Sequence, residues 1–311
     1  MKTIYFLGEC MVELRSIEES VMGQSFAGDV YNTAVYLKRC FGDINTSMVT
    51  AVGQDKLSSQ MITRFEEEDL GTELVFRDTE KVPGLYMIET DDTGERTFSY
   101  WRNDSAAKRV IHHIDEESLS KIANSDMLFF SGISLAVIEE SSRVRFWQLL
   151  EQLKAAGVTI VFDPNYRANL WHNTDEAKML YHKALQLSDI AMPGVEDMTN
   201  LYGIDTAHGI LDFCEPYGLD VIVINNGSKC IVTFSNNEKI IHDVTPVEHV
   251  VDTTSAGDAF NGAFLGAYLS GFNISDAVSM ATKAAATVIQ YPGAIVDKPV
   301  FANAIPSIKT I

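Results

Sequence analysis

The chain has 311 residues, of which 46% are hydrophobic and 22% are charged. This balance is typical of a globular protein and excludes a disordered tail, a collagen and a coiled coil. Asp and Glu number 43 against 24 Lys and Arg, giving a net charge of −19. Because this charge repels phosphate backbones, we do not expect a nucleic-acid-binding protein. An anion would have to be held by local arginines, helix N-termini and backbone N–H groups.

The cysteines are sparse and form no CxxC pair, so we do not expect a zinc site. They are Cys10, Cys40, Cys214 and Cys230, and such usage in a long chain predicts reduced thiols and a cytoplasmic protein. The apolar part of the first ten residues is too short for a signal peptide. No later run approaches the roughly 20 apolar residues that cross a bilayer, so no membrane partner is expected.

Short apolar runs alternate with longer amphipathic segments. Buried strands are predicted at residues 4–7, 46–52, 127–131, 158–163, 189–192 and 221–224. The helical spacing of apolar residues predicts helices at 30–40, 56–68, 139–156, 175–187 and 209–217. This alternation indicates βαβ units, an α/β class and a mainly parallel sheet, with ligands at the carboxyl ends of the strands.

Two stretches break the alternation and predict a small β-sheet beside the site. The first has a short strand at 12–14, and the second has strands at 73–77, 84–90 and 96–102 with a turn at 91–95. We expect them to form a lid from about residues 12–26 and 73–102. The sequence contains no repeat or linker, which favours one domain over residues 1–311.

The most informative segment is residues 252–260, Asp-Thr-Thr-Ser-Ala-Gly-Asp-Ala-Phe, which opens a predicted helix at 256–269. The first N–H groups of a helix have no partner within the helix and carry partial positive charge. Ala256 and Gly257 leave them open to an anion. Asp258 can then take a proton from a hydroxyl that attacks a phosphoryl group. A lone Gly-Asp pair would be interpreted as a turn and a capping acid, but the whole string favours catalysis.

This segment resembles the C-terminal signature of the ribokinase-like sugar kinases, the PfkB family, whose pattern is Asp-Thr-x-Gly-Ala-Gly-Asp. Ser255 stands where the family has glycine, and residues 27–34 (Ala-Gly-Asp-Val-Tyr-Asn-Thr-Ala) resemble a second signature. The resemblance covers essentially the whole chain. It implies a ribokinase-like three-layer α/β/α fold with a mainly parallel central sheet and a small β-sheet lid. It also implies that Gly28, Asp29 and Asn32 meet the sugar, while an ordinary turn capped by Asp29 is the alternative.

Several strings resemble the branch of this family that phosphorylates the sugar acid 2-keto-3-deoxygluconate. They are residues 8–14, 83–90, 93–102, 131–135 and 163–167. The resemblance implies that Arg102 and Arg167 hold the carboxylate of the sugar acid, because a guanidinium can donate two parallel hydrogen bonds to a carboxylate. It also implies help from the hydroxyls of Tyr86 and Tyr100, although both rings could instead pack the lid. Trp101 should face away from Tyr100 and Arg102 and pack, for which a second subunit is one candidate, so we expect a homo-oligomer through the lid.

The resemblance also implies an ATP site. Residues 163–167 would lie between the sugar and the nucleotide phosphates, so Arg167 would also steady the transferred phosphoryl group and act in catalysis with Asp258, Gly257 and Ala256. Gly227 could equally form a simple hairpin turn. The implied ATP-binding residues are Asn165, Arg167, Asn225, Gly227, Ser228, Lys229, Ser255, Ala256 and Gly257.

One family motif departs from its pattern. Many members carry Asn-x-x-Glu near the Mg²⁺ ion and its waters, but here Gly194 and Asp197 occupy those positions, with Glu196 beside them. We expect Mg²⁺ to arrive with ATP, held by phosphates and waters, without a direct protein ligand. Some relatives use a monovalent cation near the anion loop, and the sequence leaves that requirement open.

The implied activity is ATP-dependent phosphorylation of 2-dehydro-3-deoxy-D-gluconate at its 6-hydroxyl. The alternatives are a kinase for fructose, ribose or the galactonate epimer, and a non-catalytic sugar-acid sensor. A dinucleotide-dependent dehydrogenase is excluded because no Gly-x-Gly-x-x-Gly follows the first predicted strand.

Overall fold

The computed structural model of the protein describes residues 1–18, 20–90 and 96–308. Its strands are β1 (Thr3–Leu7), β2 (Met11–Glu18), β3 (Val21–Ala27), β4 (Asn45–Val52), β5 (Gly71–Arg77), β6 (Leu85–Thr90), β7 (Arg96–Trp101), β8 (Met127–Ser131), β9 (Thr159–Asp163), β10 (Ile190–Ala191), β11 (Val221–Asn225), β12 (Cys230–Ser235) and β13 (Glu238–Asp243). Its helices are α1 (Asp29–Cys40), α2 (Lys56–Glu67), α3 (Val110–His113), α4 (Glu116–Ala123), α5 (Gly132–Val137), α6 (Arg143–Ala155), α7 (Thr174–Leu187), α8 (Val195–Tyr202), α9 (Ala207–Cys214), α10 (Ala256–Leu269), α11 (Ile274–Val288) and α12 (Lys298–Ala304).

A nine-stranded sheet, the large sheet, forms the centre of the molecule in the order β13-β12-β11-β10-β9-β8-β1-β4-β5. Seven neighbouring strands of this sheet, β11-β10-β9-β8-β1-β4-β5, run parallel to one another. Strands β12 and β13 add an antiparallel edge beside β11. The predicted mainly parallel sheet is therefore confirmed. No helix in the described ranges combines the length and apolar character needed to span a membrane.

Helices cover both faces of the large sheet because its central strands are apolar on both sides. In β1, Ile4 and Phe6 pack with α1, α2, α10, α11 and α12. Tyr5 and Leu7 pack with the helices from α3 to α9 on the other face. The result is three layers.

Helices α1 and α10 lie unusually close together, which brings their N-termini to one point. A Cβ at Gly262 would lie 2.4 Å from the Thr33 carbonyl oxygen and 2.8 Å from the Leu37 nitrogen. Only glycine permits this approach of one helix backbone to another. The second signature, at the start of α1, therefore meets the first, at the start of α10.

The small sheet has the order β3-β2-β6-β7, with β2 parallel to β6 and the other neighbours antiparallel. One predicted strand of this lid is wrong. Residues 73–77 belong to β5, which is paired in parallel with β4 at the edge of the large sheet. The reason is that β5 follows α2 as the last step of a βαβ unit, and Leu74 packs into the core beside Val49 and Ala51. The turn predicted at 91–95 lies outside the described residues.

Candidate active site

A cleft of about 1390 Å³ lies beyond the carboxyl ends of the central strands and beside the small sheet. This is where open α/β sheets place their ligands. Every predicted site residue except Ala256 lines it, namely Gly28, Asp29, Asn32, Tyr86, Tyr100, Arg102, Asn165, Arg167, Glu196, Asp197, Asn225, Gly227, Ser228, Lys229, Ser255, Gly257 and Asp258.

The anion segment ends in a left-handed residue before α10 begins. Ser255 has φ 64° and ψ 10°, the conformation that glycine would supply in the family pattern. The Ala256 N–H donates to the Thr253 carbonyl at 3.3 Å, and its part in anion binding stays a prediction. A Cβ at Gly257 would meet nothing within 4 Å. The Gly257 backbone is therefore the open approach to the helix N-terminus.

Asp258 is held by an asparagine from α1. The Asn32 side-chain amide donates to Asp258 Oδ2 at 2.9 Å, and Asn32 Oδ1 accepts from the Gly28 N–H at 3.3 Å. Burial, and then the charge of Asp29, raise the pKa of Asp258 to about 7, against the opposing effects of Asn32 and Arg167. A carboxylate with a pKa near 7 is well matched to take a proton at neutral pH.

Two further carboxylates in the cleft accept hydrogen bonds from asparagine side-chain amides. Asn165 donates to Asp29 Oδ2 at 2.9 Å, and Asn261 donates to Asp163 Oδ2 at 2.9 Å. Burial raises the pKa of Asp163 well above its usual range, with neighbouring carboxylates adding to the effect. Asp163 and Asn261 are not singled out by the sequence patterns as separate residues of the cleft. The available signal for Asn261 was its place one helical turn beyond Asp258, on the same face of α10.

Arg167 places a positive charge beside these carboxylates of the cleft. Its Nη1 donates to Asp197 Oδ1 at 3.2 Å and to the Tyr166 carbonyl at 2.9 Å, and its side chain is 53% exposed. Burial raises the pKa of Asp197 to about 6, although Arg167 opposes the shift. The guanidinium is thus both anchored and accessible from the cleft.

The end of the cleft beside the small sheet is organised by two buried glutamates that sequence analysis did not single out. Arg102 Nη2 donates to Glu9 Oε2, and the Tyr86 hydroxyl donates to Glu13 Oε2. The Tyr86 hydroxyl thus gives its one proton to Glu13, and its contact with a substrate carboxylate stays a prediction. The Tyr86 and Tyr100 rings stack at 5.8 Å, which agrees with the packing alternative.

At the other end, residues 225–229 form a tight connection between β11 and antiparallel β12. Gly227 has φ 59°, and its N–H donates to Asn225 Oδ1 at 2.9 Å. The hairpin alternative is therefore correct, and the same turn lines the cleft. Asn225 N also donates to the Pro193 carbonyl at 3.0 Å, which brings the segment with Glu196 and Asp197 beside this turn.

The cleft combines the groups that phosphoryl transfer to a hydroxyl requires. The Asp258 carboxyl has a pKa of about 7, Gly257 exposes a helix N-terminus, and Arg167 places a cation close enough to affect that pKa. The cleft has room for two ligands of ordinary size. Fold and site together define a small-molecule kinase.

Comparison with known proteins gives the family. Residues 1–300 match the pfkB family of carbohydrate kinases, and the chain belongs to that family. It is 38% identical over 301 residues to the 2-dehydro-3-deoxygluconokinase of Dickeya dadantii, covering 95% of this chain and 97% of that protein.

Solved structures confirm the ribokinase-like fold. A PfkB protein from Polaromonas sp. JS666 superposes with a TM-score of 0.85 at 22% identity, covering 99% of this chain and 100% of its own. A putative ribokinase II from E. coli, in complex with ATP and Mg²⁺, gives 0.83 at 20% identity, covering 98% and 99%.

Ser255 provides a first test of the anion segment. We expect Ser255→Gly to change the free energy of unfolding by no more than about 1 kcal/mol, because relief of the left-handed strain is offset by greater freedom of the unfolded chain. Turnover should stay within a few-fold of wild type. Urea unfolding and steady-state kinetics measure both, with Ser255→Ala as the control that keeps the strain but removes the hydroxyl. A loss above tenfold in both variants would contradict this expectation and give the hydroxyl a part in transfer.

Proposed function

We propose that this protein phosphorylates 2-dehydro-3-deoxy-D-gluconate with ATP at the 6-hydroxyl, giving 2-dehydro-3-deoxy-6-phospho-D-gluconate and ADP. The curated relatives of that name, at 36–38% identity over nearly the whole chain, support this activity. The observation that carries it is one cleft that contains the base Asp258 together with two arginines, Arg102 and Arg167. A neutral sugar would need no cation at the position of Arg102, beside the small sheet.

In the proposed reaction, the substrate 6-hydroxyl gives its proton to Asp258 while its oxygen forms a bond to the γ-phosphorus of ATP. The bond from that phosphorus to the bridging oxygen breaks, and ADP leaves. The Gly257 N–H and the N-terminus of α10 stabilise the charge that develops on the moving phosphoryl group. Arg167, on the same side of the cleft, adds its charge to this stabilisation. The small sheet acts as a lid that excludes water, which would otherwise take the phosphoryl group.

ATP is proposed to lie between the first turn of α10 and residues 225–229, with Asn165, Asn225, Ser228 and Lys229 beside its phosphates and ribose. Mg²⁺ supplies charge neutralisation on those phosphates. Within the part of the chain that the structure describes, no group of three His, Cys, Asp or Glu could hold a metal alone. We propose that the ion is held mainly by phosphates and waters, and that Glu196 and Asp197, which line the same cleft, contact those waters.

A monovalent cation is proposed beside the anion segment, next to Asp252. Asp252 is buried, and its two carboxylate oxygens accept from the Thr254 and Gly293 N–H groups, which joins the anion segment to the C-terminal loop. Replacing K⁺ by choline in the kinase assay would test this requirement.

A cytoplasmic location is proposed as well. It is supported by the use of ATP and by the four cysteines, all of which are free thiols.

Two copies are proposed to associate through their small sheets. Trp101 lies on the face opposite Tyr100 and Arg102 and is 59% exposed, and β3 and β7 are the sheet edges. Trp101→Glu should therefore shift the protein toward the monomer in sedimentation velocity. Val144→Glu, at another exposed apolar position, on α6, is the control that should leave association unchanged. A wild-type protein that sediments as a monomer would contradict the proposal.

The reaction is tested by ADP release with ATP, Mg²⁺ and four substrates: 2-dehydro-3-deoxygluconate, its galactonate epimer, fructose and ribose. Fast turnover of 2-dehydro-3-deoxygluconate, with little on fructose or ribose, supports the proposal. A preference for a neutral sugar would keep the kinase and reject the carboxylate site. No turnover on any substrate would favour the sensor.

A further inference from the structure

The ion pair between Glu9 and Arg102 is almost completely removed from solvent. The two side chains are 1% and 7% exposed, and Arg102 Nη2 donates to Glu9 Oε2. Buried charges are costly, and a pair survives only where its geometry is specific. Both residues nevertheless line the cleft. The pair is therefore part of the wall of the site and is not a surface contact.

The pair connects the two sheets. Glu9 follows β1 of the large sheet, whereas Arg102 follows β7 of the small sheet. A Cβ at Gly84 would lie 2.6 Å from Glu9 Oε1 and 3.1 Å from Arg102 Cβ. A glycine at position 84 thus leaves the space that the pair fills, and the ion pair fixes the base of the small sheet to the large one.

The pair is not fully satisfied by the protein. Among the described residues, Glu9 Oε1 and Arg102 Nε are buried polar atoms with no hydrogen-bond partner. A guanidinium has five N–H donors, and one of them, on Nη2, is committed to Glu9. Arg102 therefore keeps donors for a second carboxylate, while Glu9 holds the guanidinium plane in one orientation.

We infer that Glu9 is a positioning residue that orients Arg102 to receive the carboxylate of a sugar-acid substrate. This inference rests on the proposed function and adds a residue to it. A free arginine side chain loses rotational entropy when it binds, and Glu9 imposes that order before the substrate arrives. Because Arg102 is fixed at the base of the small sheet, the carboxylate subsite keeps its position when the outer part of the lid moves.

The test is the KM for 2-dehydro-3-deoxygluconate and the KM for ATP in five variants. Glu9→Ala should raise the KM for the sugar acid at least tenfold and change the KM for ATP less than twofold. Glu9→Gln keeps an oxygen that can accept from Arg102 and should restore most of the affinity. In Glu9→Ala/Arg102→Ala, the loss should equal that of Arg102→Ala alone, because Glu9 acts through Arg102. Asp104→Ala, which removes an exposed ion pair with Lys81, is the matched control and should change neither constant.

Each result decides the inference. A Glu9→Ala enzyme whose KM for the sugar acid stays within twofold of wild type, or falls, would overturn it, since a fall means that Glu9 competes with the substrate. Equal rises in the KM for the sugar acid and the KM for ATP would also overturn the inference, because a merely structural role of Glu9 produces them. If Glu9→Ala does not fold, Glu9→Asp decides, because its shorter carboxylate should raise the same KM several-fold and no change would reject the role. A wild-type enzyme inactive on the sugar acid would instead refute the proposed function.

Discussion

Asp258→Asn is expected to lower kcat by about 10²–10⁴-fold, the range that general bases contribute. The variant keeps an oxygen that can accept the Asn32 amide, so the cleft should retain its geometry. Substrate binding should stay nearly intact, which isothermal titration with the sugar acid and with ATP would measure. A variant with wild-type turnover would refute the assignment of the base.

The pH dependence gives the matching check on the same residue. Burial raises the pKa of Asp258 to about 7, and only the ionised form accepts a proton, so wild-type kcat/KM, which reports the free enzyme, should rise with pH through 7. The contribution of Asp258 to the free energy of unfolding changes with pH in the opposite direction. A carboxyl whose folded pKa exceeds its unfolded value stabilises the fold at low pH and loses that contribution as pH rises through the folded pKa. Asp258→Asn should therefore have a higher Tm than wild type at pH 8 and little difference at pH 4.

Arg102→Ala is expected to raise the KM for the sugar acid by about 10–100-fold, the equivalent of one charged hydrogen-bonded contact. The KM for ATP should change less than twofold. Arg102→Lys keeps the positive charge but loses the two-donor geometry of the guanidinium. Its KM for the sugar acid should lie between those of wild type and Arg102→Ala. If only the constant for ATP changes, the carboxylate lies elsewhere in the cleft.

This variant requires a control for folding. Removing Arg102 leaves Glu9 buried without its partner, and an uncompensated buried charge costs about 3–5 kcal/mol. Far-UV circular dichroism and thermal unfolding should therefore accompany the kinetics. Arg102→Ala/Glu9→Gln removes both charges and should recover stability while the KM for the sugar acid stays high.

The large sheet could be predicted because its strands are apolar on both faces and are separated by amphipathic helices. Strand β5 was assigned to the wrong sheet because it is an edge strand, half exposed, and its pattern resembles that of the small sheet. Strand β3 was missed for a related reason. Val21 and Met22 are exposed, so its sequence shows no apolar face.

The site could be predicted where short strings place the chemistry, as in residues 252–260. It could not be predicted where a group is satisfied by a partner distant in sequence. Glu9 and Arg102, 93 positions apart, are paired only after the two sheets meet. The Tyr86 hydroxyl is used by Glu13 for the same reason, and the engagement of the Ala256 N–H depends on a turn geometry that the sequence leaves undetermined.

As the proposed base, Asp258 gains and loses a proton in every reaction cycle and needs a neighbour that tolerates both states. The Asn32 amide is such a neighbour, since it carries no charge and does not titrate. A lysine there would bind the ionised carboxylate more tightly and resist its protonation, and the site would have to rearrange before each new substrate. With an amide in this place, the site returns to its starting state when Asp258 releases its proton, and no other rearrangement is needed.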